Sequence, residues 1–425
     1  MSSSARAVIT GTGAVCGAGL TMADIWNALE TGRSSIAPIA QWDASAWPAP
    51  NAAEVKADNR TLVPDRKLHK MISRTDLFGL YAADLAVQES GLDLHRETLD
   101  EEAAAQFSDR SGVFVGSGGG TYGNAYDFFP LITAAHGDLR TFGRELSNTV
   151  NPMWLLRNLP NNVLCHVGIR HNLKGTNACI TNQCVGGVLA AAEASEAIRT
   201  GEADRAVVVG HDAPVEPETV LYYHHVGLLS SDALRPFDSE RAGTILGEGA
   251  AAAVFEKPAD ARNRGATILG EFLGSGCATE ATGVLDIRPD GEGVSRVIEL
   301  ALADAEISPS DVGMIVAHGN GTRASDASEA IAIKRVFGEN LPPVTGFKWA
   351  FGHLIAASGI LDLVLALTAL RKQIVPGIPN LTPDSELMPF PVSSQPQKPR
   401  SDVAVVICRG FGGMNVALVM RAPAG

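Results

Sequence analysis

A cysteine placed where an apolar, strand-like run gives way to a small-residue helix is set up for nucleophilic chemistry, and Cys184 stands at such a junction. In the stretch 175–198, GTNACITNQCVGGVLAAAEASEAI, residues 178–181 suit a short buried strand and Asn182 and Gln183 a tight turn. Residues 185–198 are Ala-rich, with apolar positions at helical spacing. Cys184 is therefore expected at a helix N-terminus, where unpaired N–H groups and the positive end of the helix dipole stabilise the thiolate, the reactive form of cysteine. Gly186 and Gly187 let that helix pack closely against whatever lies opposite. A cysteine in apolar surroundings is by default an inert core residue, so other residues must single this one out.

Three further stretches set glycines beside a reactive or charged side chain near a strand end or a helix start: HGNGT at 318–322, KWAFGH at 348–353 and GFGGMN at 410–415. Singly each is weak, because a lone histidine is usually structural and a glycine cluster is usually a turn. Joined to Cys184, they supply one thiol and two imidazoles, His318 and His353, the groups that covalent catalysis by cysteine uses.

Composition sets the frame for these groups. A chain of 425 residues with 45% hydrophobic content exceeds one compact domain, so two domains or two fused halves are expected. A formal net charge of -13 argues against nucleic-acid binding. The six cysteines are scattered without CxxC or Cys/His spacing, which suggests neither a disulfide framework nor a metal site and fits a reducing cytoplasm. The start of the chain lacks a charged-then-apolar signal pattern, and no apolar run is long enough to span a bilayer.

Along the chain, residues 7–10 read as a strand followed by a Gly-rich turn, and 22–32 as an amphipathic helix. GTGAVCG lacks the third glycine and the later acidic residue of a dinucleotide-binding turn. Residues 35–66 look irregular, 75–90 helical, and 111–116 a strand entering GSGGG. The stretch 121–160, with Tyr122, Tyr126, Phe128, Phe129 and Trp154 among polar residues, looks like a cap or partner-facing insertion. Residues 205–210 form a buried strand, and two strand-like pieces then flank a long polar turn. The polar PADARNRG at 258–265 is the candidate boundary between a half at 1–257 carrying Cys184 and a half at 266–425 carrying both histidines. The second half repeats the order of the first: strands at 267–274, 312–317, 403–408 and 416–420, with helices at 293–305, 325–337 and from the GHLIAASG segment at 352–359 through 370. An internal duplication built as an α/β sandwich follows.

On these motifs the chain resembles the β-ketoacyl-acyl carrier protein synthases, condensing enzymes of the thiolase fold. The resemblance rests on VITGTGAV, LKGTN, LRPFDSERAGTILGEGAAAAVFE, HGNGT, the K-x-x-x-G-H loop and GFGGMN, and it covers nearly the whole chain. It implies duplicated βαβαβαββ halves in a layered α/β/α/β/α sandwich. The family's Ser-Thr-Ala-Cys run falls on Thr181-Asn182-Gln183-Cys184, which selects Cys184 as the nucleophile and leaves Cys179 inert.

The resemblance further implies that Cys184 takes an acyl group from acyl carrier protein, with the N–H groups of Cys184 and Phe411 as oxyanion hole. His318 and His353 then stabilise the enolate of decarboxylating malonyl-acyl carrier protein. Lys348 holds the histidine loop with Asp362 as charge partner, and Asp326 and Glu329 are scaffold. No metal or cofactor is implied, since substrates ride on the carrier's phosphopantetheine arm. A dimer is implied, either of two identical chains or with a chain-length factor. Asn320 and Met414 stand where the family usually has threonine, and Ile407-Cys408-Arg409 where it usually has Asn-Ser-Phe. With Gly119, Thr322 and Gly412, Asn320 and Met414 are expected to shape the pocket. Gln183 and the bare Gly119 favour a specialised type II polyketide or aryl-polyene-like synthase over housekeeping fatty-acid elongation. A synthase that only decarboxylates or transfers, and a non-catalytic chain-length factor, which lacks the cysteine, are the competing readings.

Overall fold

The computed structural model describes residues 6–119, 126, 128–339, 341–384, 386–387 and 389–423. Ten strands form the main sheet. In the first half they are β1 (Val8–Cys16), β2 (Ser111–Ser117), β3 (Asn177–Ile180), β4 (Arg205–Asp212) and β5 (Gly249–Glu256). In the second half they are β6 (Gly270–Thr279), β7 (Met314–Val316), β8 (Val344–Thr345), β9 (Val403–Gly410) and β10 (Met414–Arg421). The sheet runs β3-β2-β4-β5-β1-β6-β10-β9-β7-β8. Each half therefore has the same strand order counted outward from the join. In both halves the outer three strands are parallel and the inner ones antiparallel. The halves meet through two residue pairs, Val8 with Glu271 and Ile9 with Gly270. This is the duplicated α/β arrangement the sequence implies.

Two helices occupy the space between the halves. One is α2 (Gly186–Thr200) and the other α5 (Ser358–Lys372), and each touches strands of both. Helix α5 is apolar on nearly all sides and buried over almost its whole length, as a helix sandwiched between sheets must be. Helix α2 instead fits by being small: a Cβ on Gly116 of β2 would lie 2.2 Å from the Gly187 nitrogen. The outer faces carry α1 (Arg74–Ser90) on the first half and α3 (Glu292–Asp304) on the second, completing five layers. Helix α4 (Arg323–Phe337) packs beside α3. Helix α1 starts in a Ser73–Asp76 capping box and stops at Gly91, which adopts φ +69.

Several sequence expectations shift. Gly11 and Gly13 of GTGAVCG form no turn: they lie inside β1, where Cβ atoms on them would meet carbonyl oxygens of α1 at 2.1 and 2.2 Å, and the chain turns only at Gly17, after the strand. The 258–265 segment is not a simple linker, since a short helix, Pro258–Asn263, connects β5 to β6. The insertion at 121–160 is largely helical, with Phe129–Ala134, Leu139–Thr149 and Trp154–Arg157; Tyr122 lies outside the described residues. Strand β3, expected to be buried, is an edge strand of intermediate exposure that carries Cys179. Strand β8 and the helix Lys348–Phe351 are too short for periodicity to reveal.

The helix Asn162–His171, which precedes β3, is pinned to α1 at both ends. Asn162 donates to Asp76 at 3.1 Å, while the His171 ring bridges Asp84 at 3.0 Å and Asp93 at 2.6 Å. Burial opposes a charge on His171, but the two carboxylates outweigh it and raise the imidazole to about 8. A histidine whose folded pKa exceeds its unfolded value near 6.5 contributes fully below that value and loses its contribution as pH rises through the folded pKa. His171→Gln is therefore expected to lower unfolding free energy by on the order of 2 kcal/mol at pH 6 and by much less at pH 9, as read by urea titration. An equal loss at both pH values would show that the ring acts by packing alone.

Candidate active site

Strand β3 ends at Ile180, and the chain turns through Asn182 and Gln183 into a single 3-10 turn, Gln183–Val185, before α2. Gln183 adopts φ +45, a left-handed conformation that favours glycine, so a strained residue immediately precedes the thiol. The second half repeats the device: Ile355 has φ +46 and opens the 3-10 turn Ile355–Ala357 ahead of α5. Cys184 is 4% exposed. Burial, with a smaller push from the Asp212 carboxylate, drives its thiol up to about 12, against the pull of Lys348 and its own backbone N–H. The resting group is thus a neutral thiol, not the thiolate expected from a helix start alone. Desolvation outweighs the favourable end of α2.

His318 follows β7 on a loop held by carboxylates from α4. Glu329 accepts from the His318 and Gly319 N–H groups at 2.7 and 3.0 Å, and Asp326 from those of Gly321 and Phe237 at 3.2 and 2.8 Å. The Arg409 backbone N–H donates to His318 Nδ1 at 3.4 Å, which leaves the ring proton on Nε2. His353 stands after the Lys348–Phe351 helix; its backbone N–H donates to Ile245 and its carbonyl accepts from Gly247. Its two ring nitrogens are buried and have no partner among the described residues. The rings lie edge to face, centroids 5.2 Å apart. Burial first, then the Lys348 charge, holds both imidazoles well below their usual pKa. Lys348 reaches Asp362 of α5 at 2.9 Å, and both side chains are buried.

Cys184, His318, His353, Asn320, Thr322 and Phe411 share one cavity of about 70 Å³. Residues from both halves build it, with the thiol from the first and the imidazoles from the second. Lys348 and Asp362 do not line it. Of the residues expected in the pocket wall, Gly412 and Met414 are not at its surface; Gly410, Phe411, Gly413 and Asn415 of the same turn are. Gly119, with φ +107 and open space around its Cβ position, borders instead an adjacent cavity of about 670 Å³. Gln183, Asp212, Tyr223 and Phe411 also line that second cavity.

Three features escape sequence reasoning. Cys408 donates its S–H to the Cys184 carbonyl at 3.1 Å. The buried Arg409 guanidinium bonds Glu280, Asn415 and Ser325 at 2.9 to 3.3 Å and so forms a polar wall. Tyr223, on the helix Pro217–His225, borders both cavities. The unusual Arg409 was visible as a departure from a motif, but its partners come from distant segments and no local signal marks them.

A buried thiol shares a cavity with two imidazoles in a duplicated α/β/α/β/α sandwich, the architecture of the thiolase-fold acyltransferases. Residues 4–261 match the model of the beta-ketoacyl synthase N-terminal domain and residues 269–382 that of the C-terminal domain, and the chain belongs to the beta-ketoacyl synthase family. It is 33% identical to 3-oxoacyl-[acyl-carrier-protein] synthase 2 of Coxiella burnetii, over 98% of each chain. It is 32% identical to nodulation protein E of Rhizobium leguminosarum bv. trifolii, over 98% of this chain and 99% of that one. Among solved structures, the ishigamide ketosynthase/chain length factor superposes with TM-score 0.85 at 26% identity, covering 99% of this chain and all of that one. A type II PKS ketosynthase, in complex with its acyl-carrier protein and bound to the hexaketide, gives TM-score 0.82 at 26% identity over the same shares. Among the described residues no helix is long and apolar enough to cross a membrane.

Proposed function

We propose that the protein is a β-ketoacyl-acyl carrier protein synthase of a specialised type II polyketide or polyene pathway. The observation that carries this reading is the meeting of Cys184, His318 and His353 in one cavity. In this mechanism the Cys184 sulfur attacks the thioester carbonyl of an acyl carrier, the carrier thiol leaves with a proton, and an acyl-enzyme remains. Because the Cys184 thiol is neutral at rest, its proton must be relayed, and His353 is the relay in this reading because its ring nitrogens are unpartnered. The N–H groups of Cys184 and Phe411 receive the oxyanion. Malonyl-acyl carrier protein then binds, and the C–C bond to its carboxylate breaks as carbon dioxide leaves. The electron pair forms an enolate whose oxygen accepts hydrogen bonds from His318 Nε2 and His353. The enolate carbon attacks the acyl-enzyme carbonyl, and the Cys184 sulfur departs with the β-ketoacyl product left on the carrier. Neutral imidazoles suit this step, since each donates a hydrogen bond without presenting a proton that would quench the carbanion.

The specialised assignment is supported by Gln183 and the open Gly119 beside the larger cavity, and by relatives that include a nodulation protein and a polyketide ketosynthase. In the same reading the halves are 1–257 and 266–425, the partner is an acyl carrier protein, and the chain works in the cytoplasm as a homodimer or with a chain-length factor. The exposed edge of β3 supports pairing with a second subunit. The test is β-ketoacyl product formation from malonyl-acyl carrier protein and a panel of acyl carriers, followed by mass spectrometry. Long, rigid or aromatic-ended chains are expected to condense at least about tenfold faster than short saturated ones. Equal rates would assign the protein to housekeeping elongation, and an acyl-enzyme without β-ketoacyl product would leave only transfer.

A further inference from the structure

Tyr223 is 5% exposed, and its hydroxyl has no hydrogen-bond partner among the described residues. Its ring stacks at 5.5 Å on Phe411 and borders both the Cys184 cavity and the larger one beside it. A phenylalanine would fill the same space without burying an unsatisfied donor, and an unpaired buried hydroxyl is destabilising. A group that enters these cavities during the reaction can supply the missing acceptor.

We infer that Tyr223 is a specificity-determining residue that donates a hydrogen bond to an oxygen on the acyl chain carried by Cys184, so that the chain accepted is oxygenated close to its thioester, as a 3-oxo or 3-hydroxy acyl group is. This rests on the synthase reading given above and deepens it. Phe411 and Tyr223 border both cavities, so a chain attached to Cys184 that extends into the larger space passes them. The walls there are correspondingly polar. Gln183 and Asp212 line the larger cavity with Tyr223, and Asp212, with its oxygens on the N–H groups of Ala213 and Ala356, is pushed up to about 7 by burial. A carboxyl raised into the neutral range carries a proton part of the time and then does not repel a keto or hydroxyl oxygen as a full anion would. The phenol itself is held well above its usual pKa by burial and by the nearby Cys184 and Asp212, so it remains a donor at working pH.

The experiment compares Cys184 acylation of the whole protein by octanoyl, 3-oxooctanoyl and 3-hydroxyoctanoyl pantetheine thioesters, in the native chain and in Tyr223→Phe. The native chain is expected to load one of the oxygenated chains about tenfold faster than octanoyl, because a site built to hydrogen-bond a substrate oxygen discriminates against the analogue that lacks it. Tyr223→Phe, which removes a single hydroxyl, is expected to bring that ratio to roughly one and to leave the octanoyl rate within about twofold. A ratio near one in the native chain overturns the inference, as does a ratio that survives in Tyr223→Phe. An equal fall for all three thioesters also overturns it, since the phenol would then serve the thioester carbonyl common to all. Loading by octanoyl alone leaves the synthase reading standing while the Tyr223 assignment fails; no adduct with any thioester removes both.

Discussion

Cys184→Ala is expected to abolish acyl-enzyme formation and to lower β-ketoacyl product formation by at least about a thousandfold, because Cys184 carries the one thiol among the described residues that line the cavity. The substitution removes one buried sulfur at a turn whose backbone is fixed by its neighbours, so thermal stability is expected to change by only a few degrees. Cys179→Ala is the matching control. That thiol sits on the edge strand β3, bonded to the Pro160 carbonyl at 3.3 Å and outside the cavity, and its loss is expected to leave loading intact. Intact-mass measurement after incubation with an acyl carrier separates the outcomes, and an adduct persisting in Cys184→Ala would move the nucleophile elsewhere. The same residue makes a second, pH-dependent statement. A thiol raised to about 12 is ionised to roughly one part in ten thousand at pH 8. Raising a thiol's pKa removes thiolate at every pH below it, so alkylation of Cys184 by iodoacetamide is expected to climb about tenfold per pH unit from 7 to 10. A plateau between pH 6 and 8 would show instead that the resting group is already a thiolate.

What the sequence could and could not show follows from the range of the interactions involved. Cys184 was legible because strand, turn and Ala-rich helix follow one another within a few residues, and each has a local signature. The buried α5 was legible for the same reason, and so was the duplication, since each half repeats the order of its elements. The ionisation of Cys184 was not: the helix start is local, but the burial that overrides it comes from remote segments packed on its turn, among them β9 and the Ile355–Ala357 turn. The turn read into GTGAVCG failed because Gly11 and Gly13 serve close packing against α1 inside a strand, and a glycine needed for approach looks the same in sequence as one needed for a turn. Gly412 and Met414 left the pocket wall because the chain passes them in a 3-10 turn, Phe411–Gly413, whose two glycines at positive φ redirect it, and a motif read as letters does not show that turn. Tyr223 carried no signal, since the adjacent Tyr222 and Tyr223 of PETVLYYHH look alike in sequence until the Tyr223 hydroxyl is found buried without a partner among the described residues.

The Lys348–Asp362 pair yields the largest expected change in stability and also separates folding from catalysis. Both side chains are almost wholly buried; Asp362 Oδ2 accepts from Lys348, and Oδ1 has no partner among the described residues. Lys348→Met therefore strands a carboxyl inside α5 among leucines, and removing one member of such a pair is destabilising by about 3 to 5 kcal/mol. Replacing both members by apolar groups of similar volume removes the desolvation penalty together with the attraction, so Lys348→Met/Asp362→Leu is expected to return to within about 2 kcal/mol of the native chain. Activity is expected to behave differently. The Lys348 charge pulls the Cys184 and Cys408 thiols down and helps to keep His318 and His353 neutral, and among the described residues it is the one cation that acts on all four groups. Without it both imidazole pKa values rise, the acidic limb of the condensation rate moves to higher pH, and the thiol becomes harder to ionise. The double variant is therefore expected to fold but to condense at least about a hundredfold more slowly at pH 7. Urea titration beside a pH–rate profile decides between the two roles. Recovery of activity along with stability would reduce Lys348 to a structural ion pair, whereas recovery of stability alone, with the acidic limb displaced upward, assigns its charge to the chemistry.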